Sequence, residues 1–595
     1  MKRRIITTIA LLALLLGVFS VGAAANSQTL QDTINNAESG ATITLYTAAT
    51  EAISVDKDLV LDLNGNDIFE LNVAEGNTVT VFDAQTDDYA VSDGIYGKIY
   101  AHSGNVVAAE GYLAVDEDNT DAYDILSFHK LTLEITAMSL RTSAENEQDP
   151  GVYYKSNFRG DEVIAAQVAK YGIALNVKEA PNATNMDTTS AASSFTNFAA
   201  GENGNAGTGT LLKGIIKNTN SEANNERNAN MPIWGRPYLQ LTTGEYIFGN
   251  TAQRSMRQQM ELVDQNWTNY TAKAQGSVLW MFRNCKNMIS KWNIPNILDE
   301  MNAPLSDGKT LKLLAISSSF GENTNHYVYD AAMAEGYDTV IVGRLYASGC
   351  TLQRHVEKAQ SGENFYRYTK ISTEVSEENP TPGTWVEFKN TSMLTALQDE
   401  DWDVIFFQQS AHYSPLPDSY ISADGVDYID VLTSFVKENK TNPKARFVWN
   451  LCWAFENGAP ESEVWNRYGR NQLNMYQGLI DTLEQRVLTK NHFDAIIPTG
   501  TAVQNLRTSY IGDTLTKDKL HLNHLGRIMA AYTVLATVTG EPITEINIST
   551  FAKDNSENFS ITEVTEQDKL AIMEAVNNAI ANPYEITQSI YTTAE

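Results

Sequence analysis

The chain has 595 residues, 43% hydrophobic and 19% charged, enough apolar material for several packed cores and too much for a disordered protein. Forty-three basic against 73 acidic residues leave a net charge of −30. Such a surface repels phosphate backbones and excludes general nucleic-acid binding.

At the amino end, Lys2, Arg3 and Arg4, the apolar run Ile5–Val21 and the small residues Ala23–Ala25 predict an export signal over residues 1–25. The mature chain is then expected outside the cytoplasm of a bacterium, secreted or at the cell surface, with no later stretch apolar enough to span a membrane. Three cysteines (Cys285, Cys350, Cys452) and eight scattered histidines suit neither a disulfide framework nor a metal cage. No metal and no cofactor are expected.

Residues 26–104 open with a helical pattern, Leu30–Ala37. Short alternating strands follow at Ala41–Tyr46, Leu59–Leu63, Ile68–Leu71 and Thr78–Phe82, parted by turns such as Asn64-Gly65-Asn66. This spacing predicts an all-β region, either stacked rungs or a small sandwich. The helix followed by Leu-Asp-Leu-Asn-Gly resembles the capped start of bacterial parallel β-solenoids.

Residues 105–302 are expected to form a β-sandwich ending in a helix. Leu131–Met138 and Tyr238–Leu241 alternate as half-buried strands, residues 182–205 read as a long polar loop, and Met256, Met260, Val263 and Trp267 recur at helical spacing. Val278, Met281 and Met288 continue that spacing. Tyr153, Tyr154, Trp234, Tyr238 and Trp280 suit a core, with stacking on sugar rings as the functional alternative.

Residues 303–595 alternate strand and helix and end in a helical extension. Strands are expected at Lys312–Ile316, Thr339–Leu345, Val404–Phe407, Arg446–Leu451 and Ala495–Pro498. Helices are expected near 325–335, 426–440, 465–489 and 527–538. The alternation predicts an α/β domain of three layers with a parallel sheet, whose ligands sit beyond the carboxyl ends of the strands.

Two segments there carry chemistry. The first strand ends in Ser317-Ser318-Ser319-Phe320-Gly321, where a serine can cap a helix or present a nucleophile to a helix amino terminus. The last loop reads Asp518-Lys519-Leu520-His521 before a helix, a spacing that suits an oriented general base as well as a simple loop cap. Cys350 and Cys452 read as small buried hydrophobes. His355 and His412 read as surface or supporting groups, and Trp449, Trp453 and Tyr468 as core, with one of them able to offer a sugar platform.

Together, in this order over residues 311–541, the motifs resemble the SGNH (GDSL-like) hydrolase superfamily, near its sialate acetylesterase-like branch. The resemblance implies Ser319 as nucleophile, His521 as base and Asp518 as its orienting carboxylate. It also implies Gly349, within Ala347–Leu352, and Gln408 or Gln409 as oxyanion-hole residues. Ser317 and Ser318 depart from the Gly-Asn that precedes the family's nucleophile. The implied activity is that of a secreted serine esterase removing small acyl groups, acetyl above all, from carbohydrate. The alternative is a catalytically degenerate protein that binds carbohydrate or another surface partner.

Overall fold

The computed structural model describes residues 27–87, 89, 95–118, 124–141, 151–185, 204–209, 222–283, 289–377, 380–490, 492–552 and 563–594. The export signal, most of the 182–205 loop, Cys285 and Met288 lie outside the described residues. The chain divides into two compact units, residues 1–265 with 291–293, and 266–290 with 294–595.

In the first unit the helix Ser27–Asn36 precedes two ladders of short strands. One joins β1 (Thr42–Thr44), β3 (Leu59–Asp62), β5 (Thr78–Phe82) and β8 (Asn105–Ala108), all parallel. In the other, β2 (Ala49–Val55) and β4 (Ile68–Val73) run parallel, and β4 pairs onward with β6 (Lys98–Ile99) and β7 (His102–Ser103). Ile43, Leu61, Val81 and Ala108 fall in one register column, so each rung adds an aliphatic residue to a shared core. Of the two expectations, rungs are observed and the small sandwich is not. The stack also runs past the expected boundary at 104, because β8 extends the first ladder. β9 (Tyr112–Asp116) pairs with β10 (Leu126–Lys130), which returns to β6.

Beyond it lie two antiparallel sheets. One holds β11 (Thr132–Arg141), β12 (Gly151–Arg159) and β14 (Gly204–Gly209). The other holds β13 (Val168–Asn176), β15 (Ile233–Leu241), β16 (Tyr246–Phe248) and β17 (Ala252–Arg254). The helix Met256–Gln265 buries Met256, Met260 and Val263, as their spacing requires. The next helix, Ala272–Phe282, belongs to the second unit. Tyr154 is sealed, its hydroxyl donating to the Ile233 carbonyl at 2.6 Å, which removes it from the candidate sugar platforms.

The second unit is built on a seven-stranded sheet in the order β21-β20-β19-β18-β22-β23-β24. β18 (Thr310–Ser317), β19 (Thr339–Tyr346), β22 (Val404–Phe407), β23 (Arg446–Asn450) and β24 (Ala495–Ile497) are parallel, as expected. The edge is not. β20 (Tyr366–Ser372) and β21 (Val386–Thr391) add an antiparallel extension, with polar residues such as Arg367, Glu387 and Lys389 in place of a continuous apolar run. β22 is apolar throughout, and β18 and β23 are apolar over Leu313–Ile316 and Phe447–Trp449, because helices cover both faces. The helices Leu352–Ser361, Met393–Gln398 and Tyr428–Asn439 form one group, and Val328–Ala334, Thr499–Arg507, His524–Thr539 and Glu566–Ala581 another. The helix expected over 465–489 is broken into Glu463–Arg467 and Gln472–Thr482, the latter running on as a π-helical turn, Leu483–Val487. Gly469 and Arg470 take left-handed conformations (φ 64° and 54°) between the first two pieces, which no continuous helix allows.

Successive strands lie in the order 2-1-3-4-5 across the parallel part, so the chain reverses direction of travel between β18 and β22. In sheets of this order, ligand sites are expected beyond the carboxyl ends of the strands at that reversal.

Candidate active site

Ser317 ends β18 and Ser318 is the helix N-cap in extended conformation, yet its side chain caps nothing. Ser319 is therefore the first helical residue of Ser319–Thr324, with its hydroxyl released from capping. The turn is tight. A Cβ on Gly321 would lie 2.3 Å from Ser317 Cβ and 2.7 Å from Gln408 Oε1, so only glycine lets the first helical turn settle onto the end of β18.

The loop before the His524–Thr539 helix is held at several points. Thr516 and Leu522 pair as an antiparallel bridge, the Lys517 amide donates to the His521 carbonyl at 2.9 Å, and Asn523 caps the helix through the Gly526 amide at 3.1 Å. Lys519 sits at φ 72°, the left-handed residue that folds Asp518 back over His521. One Asp518 oxygen accepts from the Leu520 and His521 amides at 3.0 and 2.7 Å; the other meets His521 Nδ1 at 2.7 Å. Partial burial pushes the Asp518 carboxyl up, but these amides and the ring outweigh it and hold it below its ordinary value.

His521 Nε2 lies 2.9 Å from Ser319 Oγ. Hydroxyl, imidazole and carboxylate thus form an unbroken chain from two segments 202 residues apart. The serine is half-buried and the ring is 28% exposed, so the chain is open to solvent. Arranged this way, Nε2 can take the hydroxyl proton while the carboxylate stabilises the imidazolium.

Gly349 lies on the turn after β19, at φ 58° and exposed, with nothing within 4 Å of where a Cβ would stand. The Ala347 amide reaches the Ser317 carbonyl at 3.5 Å, which ties this turn to the end of β18. Gln408 and Gln409 leave β22 on opposite sides, both buried, and each amide nitrogen is already engaged. Gln408 Nε2 donates to Cys452 Sγ at 2.6 Å. Gln409 Nε2 donates to the Ser419 carbonyl and hydroxyl, while its oxygen accepts from the Leu352 and Ser410 amides. Their side chains brace the loops at this sheet edge, with Gln408 committing one of its two amide N–H groups to Cys452.

Cys350 and Cys452 are buried, and burial pushes their thiols up to about 12 and about 11, so neither is a nucleophile at neutral pH. His355 is fully buried and held neutral. His412 stands nearer the site. Burial, then the charge of His521, lowers its pKa, and its ring lies 5.0 Å from Phe455. Among the described residues no cluster of three or more His, Cys, Asp or Glu side chains could hold a metal ion, and no helix is long and apolar enough to cross a membrane.

Sequence reading missed the wall behind the triad. Trp453 was assigned to the core, and it is buried there, but its indole stacks on Phe320 at 4.1 Å and donates from Nε1 to the Leu520 carbonyl at 2.8 Å. Glu456 receives Lys519 Nζ and Thr516 Oγ1 and gives its own amide to the Lys519 carbonyl at 3.0 Å. Both follow β23 at the carboxyl edge, so the strand-end rule was a usable signal.

A second Ser-His-Asp chain occurs in the first unit. His129 meets Asp161 at 2.6 Å and Ser127 at 2.8 Å, and all three are at most 1% exposed. No ester reaches it. Asp161 caps the Glu162–Gln167 helix, and the trio serves as internal bracing.

No curated protein matches the chain. A solved structure of a DUF4886 family protein from Bacteroides uniformis aligns with 28% identity over 48% of this chain and all of that one, with a TM-score of 0.41. Residues 312–568, which contain Ser319, Asp518 and His521, match the model of the family described as "Domain of unknown function (DUF4886)".

Proposed function

We propose that this domain is a serine esterase of the SGNH type, exported from a bacterial cell and acting on small acyl esters, acetyl above all, of carbohydrate. The supporting observation is the open hydrogen-bonded chain Ser319–His521–Asp518 beyond the carboxyl end of β18. Ser319 Oγ attacks the ester carbonyl as His521 Nε2 takes its proton. The tetrahedral oxyanion is met by the backbone N–H groups of Ser319, at the start of its helix, and of Gly349. On collapse the C–O bond to the sugar breaks, and the imidazolium returns the proton to the departing alcohol. Water, deprotonated by the same ring, then releases acetate and restores the serine.

Hydrolysis of p-nitrophenyl acetate by the purified protein and by Ser319→Ala tests this. Loss of at least about a thousandfold in kcat is expected. Equal rates would remove the esterase. A second reading, a scaffold that holds acylated carbohydrate without turning it over, draws on the engagement of the Gln408 and Gln409 amides in local hydrogen bonds. Under it both proteins are inactive and both bind the polysaccharide.

A further inference from the structure

We propose that Trp453 is a positioning residue that sets the spacing between Ser319 and His521. It rests on the hydrolase reading for its catalytic meaning, though not for its geometry. The two groups come from segments with no sequence proximity, and a nucleophile and base must meet within hydrogen-bond reach. Each segment is tied to the same indole beside its reactive residue. Phe320, the neighbour of Ser319, lies parallel to Trp453 with ring centroids 4.1 Å apart and planes 4° from coincidence. Leu520, the neighbour of His521, accepts the indole N–H at 2.8 Å. Phe320 then meets the His521 ring edge-on at 5.6 Å, which closes a loop of contacts Trp453–Phe320–His521–Leu520.

The indole itself cannot drift. It is fully buried, three residues past the end of β23, on a segment tied by the Leu451 amide to the Ile497 carbonyl and by the Glu456 amide to the Lys519 carbonyl. Three residues on, Glu456 grips the same loop through Lys519 and Thr516, so Asp518 and His521 are held against the β23 terminus from both sides of the left-handed turn. Trp453 touches neither substrate nor reacting atoms. Its part is to make the serine-to-imidazole distance a property of the sheet rather than of two loops.

Trp453→Phe keeps a ring against Phe320 and removes the N–H. The expected result is a fall of at least about tenfold in kcat for p-nitrophenyl acetate with KM within about twofold, while the melting temperature moves by only a few degrees. A second readout needs no turnover: the downfield proton resonance of His521 Nδ1, donated to Asp518, is expected to weaken or vanish in the variant. Wild-type kcat together with an intact resonance would overturn the proposal and leave the esterase standing. An inactive wild type whose resonance is nevertheless lost in Trp453→Phe would refute the esterase and uphold the positioning. Should Trp453→Phe not fold, Phe320→Leu breaks the same loop of contacts from the other side and is read by the same two measurements.

Discussion

Asp518 divides its two oxygens between different tasks. One locks the loop through the Leu520 and His521 amides; the other fixes the tautomer of His521 by accepting from Nδ1. Asp518→Asn preserves the acceptor for the amides but places an amide nitrogen or an uncharged oxygen against the ring. Its kcat is expected to fall about 10³–10⁴-fold with KM little changed, measured in steady state. The folded carboxyl titrates below its ordinary value. Its contribution to stability is therefore present above the unfolded pKa and lost as pH falls through the folded one. With nearly half the side chain exposed, solvent screening keeps that contribution small.

At the scale of elements, the turn from β18 into the Ser319–Thr324 helix depends on Gly321. Gly321→Ala forces a methyl into Ser317 and Gln408, at a cost of about 1–3 kcal/mol, and is expected to lower the melting temperature and esterase activity together. Another element titrates. Asp330, on the Val328–Ala334 helix, accepts from the Ala552 amide at 2.6 Å, and burial pushes its carboxyl up to about 7. A raised carboxyl pKa makes the native state the better proton binder, so stability declines as pH rises from the ordinary carboxylate range to about 7. The decline is on the order of 4 kcal/mol at most, and Asp330→Asn is expected to flatten it in denaturant melts at pH 5 and pH 8. The strands and most helices here were legible because apolar runs in a covered parallel sheet admit few alternatives; Val404–Phe407 was placed to the residue. Elements governed by backbone conformation or by the sheet edge were not. Nothing in the apolar pattern of 465–489 announces that Gly469 and Arg470 turn left-handed, and β20 intersperses its buried Tyr366, Tyr368 and Ile371 with Arg367, Thr369 and Lys370, so no continuous apolar run marks it. Likewise Ser319, His521 and Asp518, which strand ends, loop spacing and the resemblance single out, do come together in one hydrogen-bonded chain. The orientations of Gln408 and Gln409 were not legible, since one residue of register decides which face each takes.

Across the whole molecule the charge of −30 acts on any substrate before a residue touches it. A polyanionic acylated polysaccharide meets long-range repulsion, whereas a neutral one does not. For an anionic ester, kcat/KM is expected to rise with added salt, and for p-nitrophenyl acetate to stay level; a salt-independent anionic substrate would contradict this.

The sealed trio Ser127–His129–Asp161 gives the protein an internal reference. Both hydroxyls meet an imidazole held by an aspartate, but Ser319 is half-buried at the start of a helix, whereas Ser127 is sealed within β10 with Glu117 3.9 Å from the His129 ring. Treated with an alkyl fluorophosphonate, the folded chain should acquire one adduct, on the tryptic fragment bearing Ser319, while the fragment bearing Ser127 stays unmodified. Peptide mass spectrometry of a single sample would thus read the open and the sealed serine side by side.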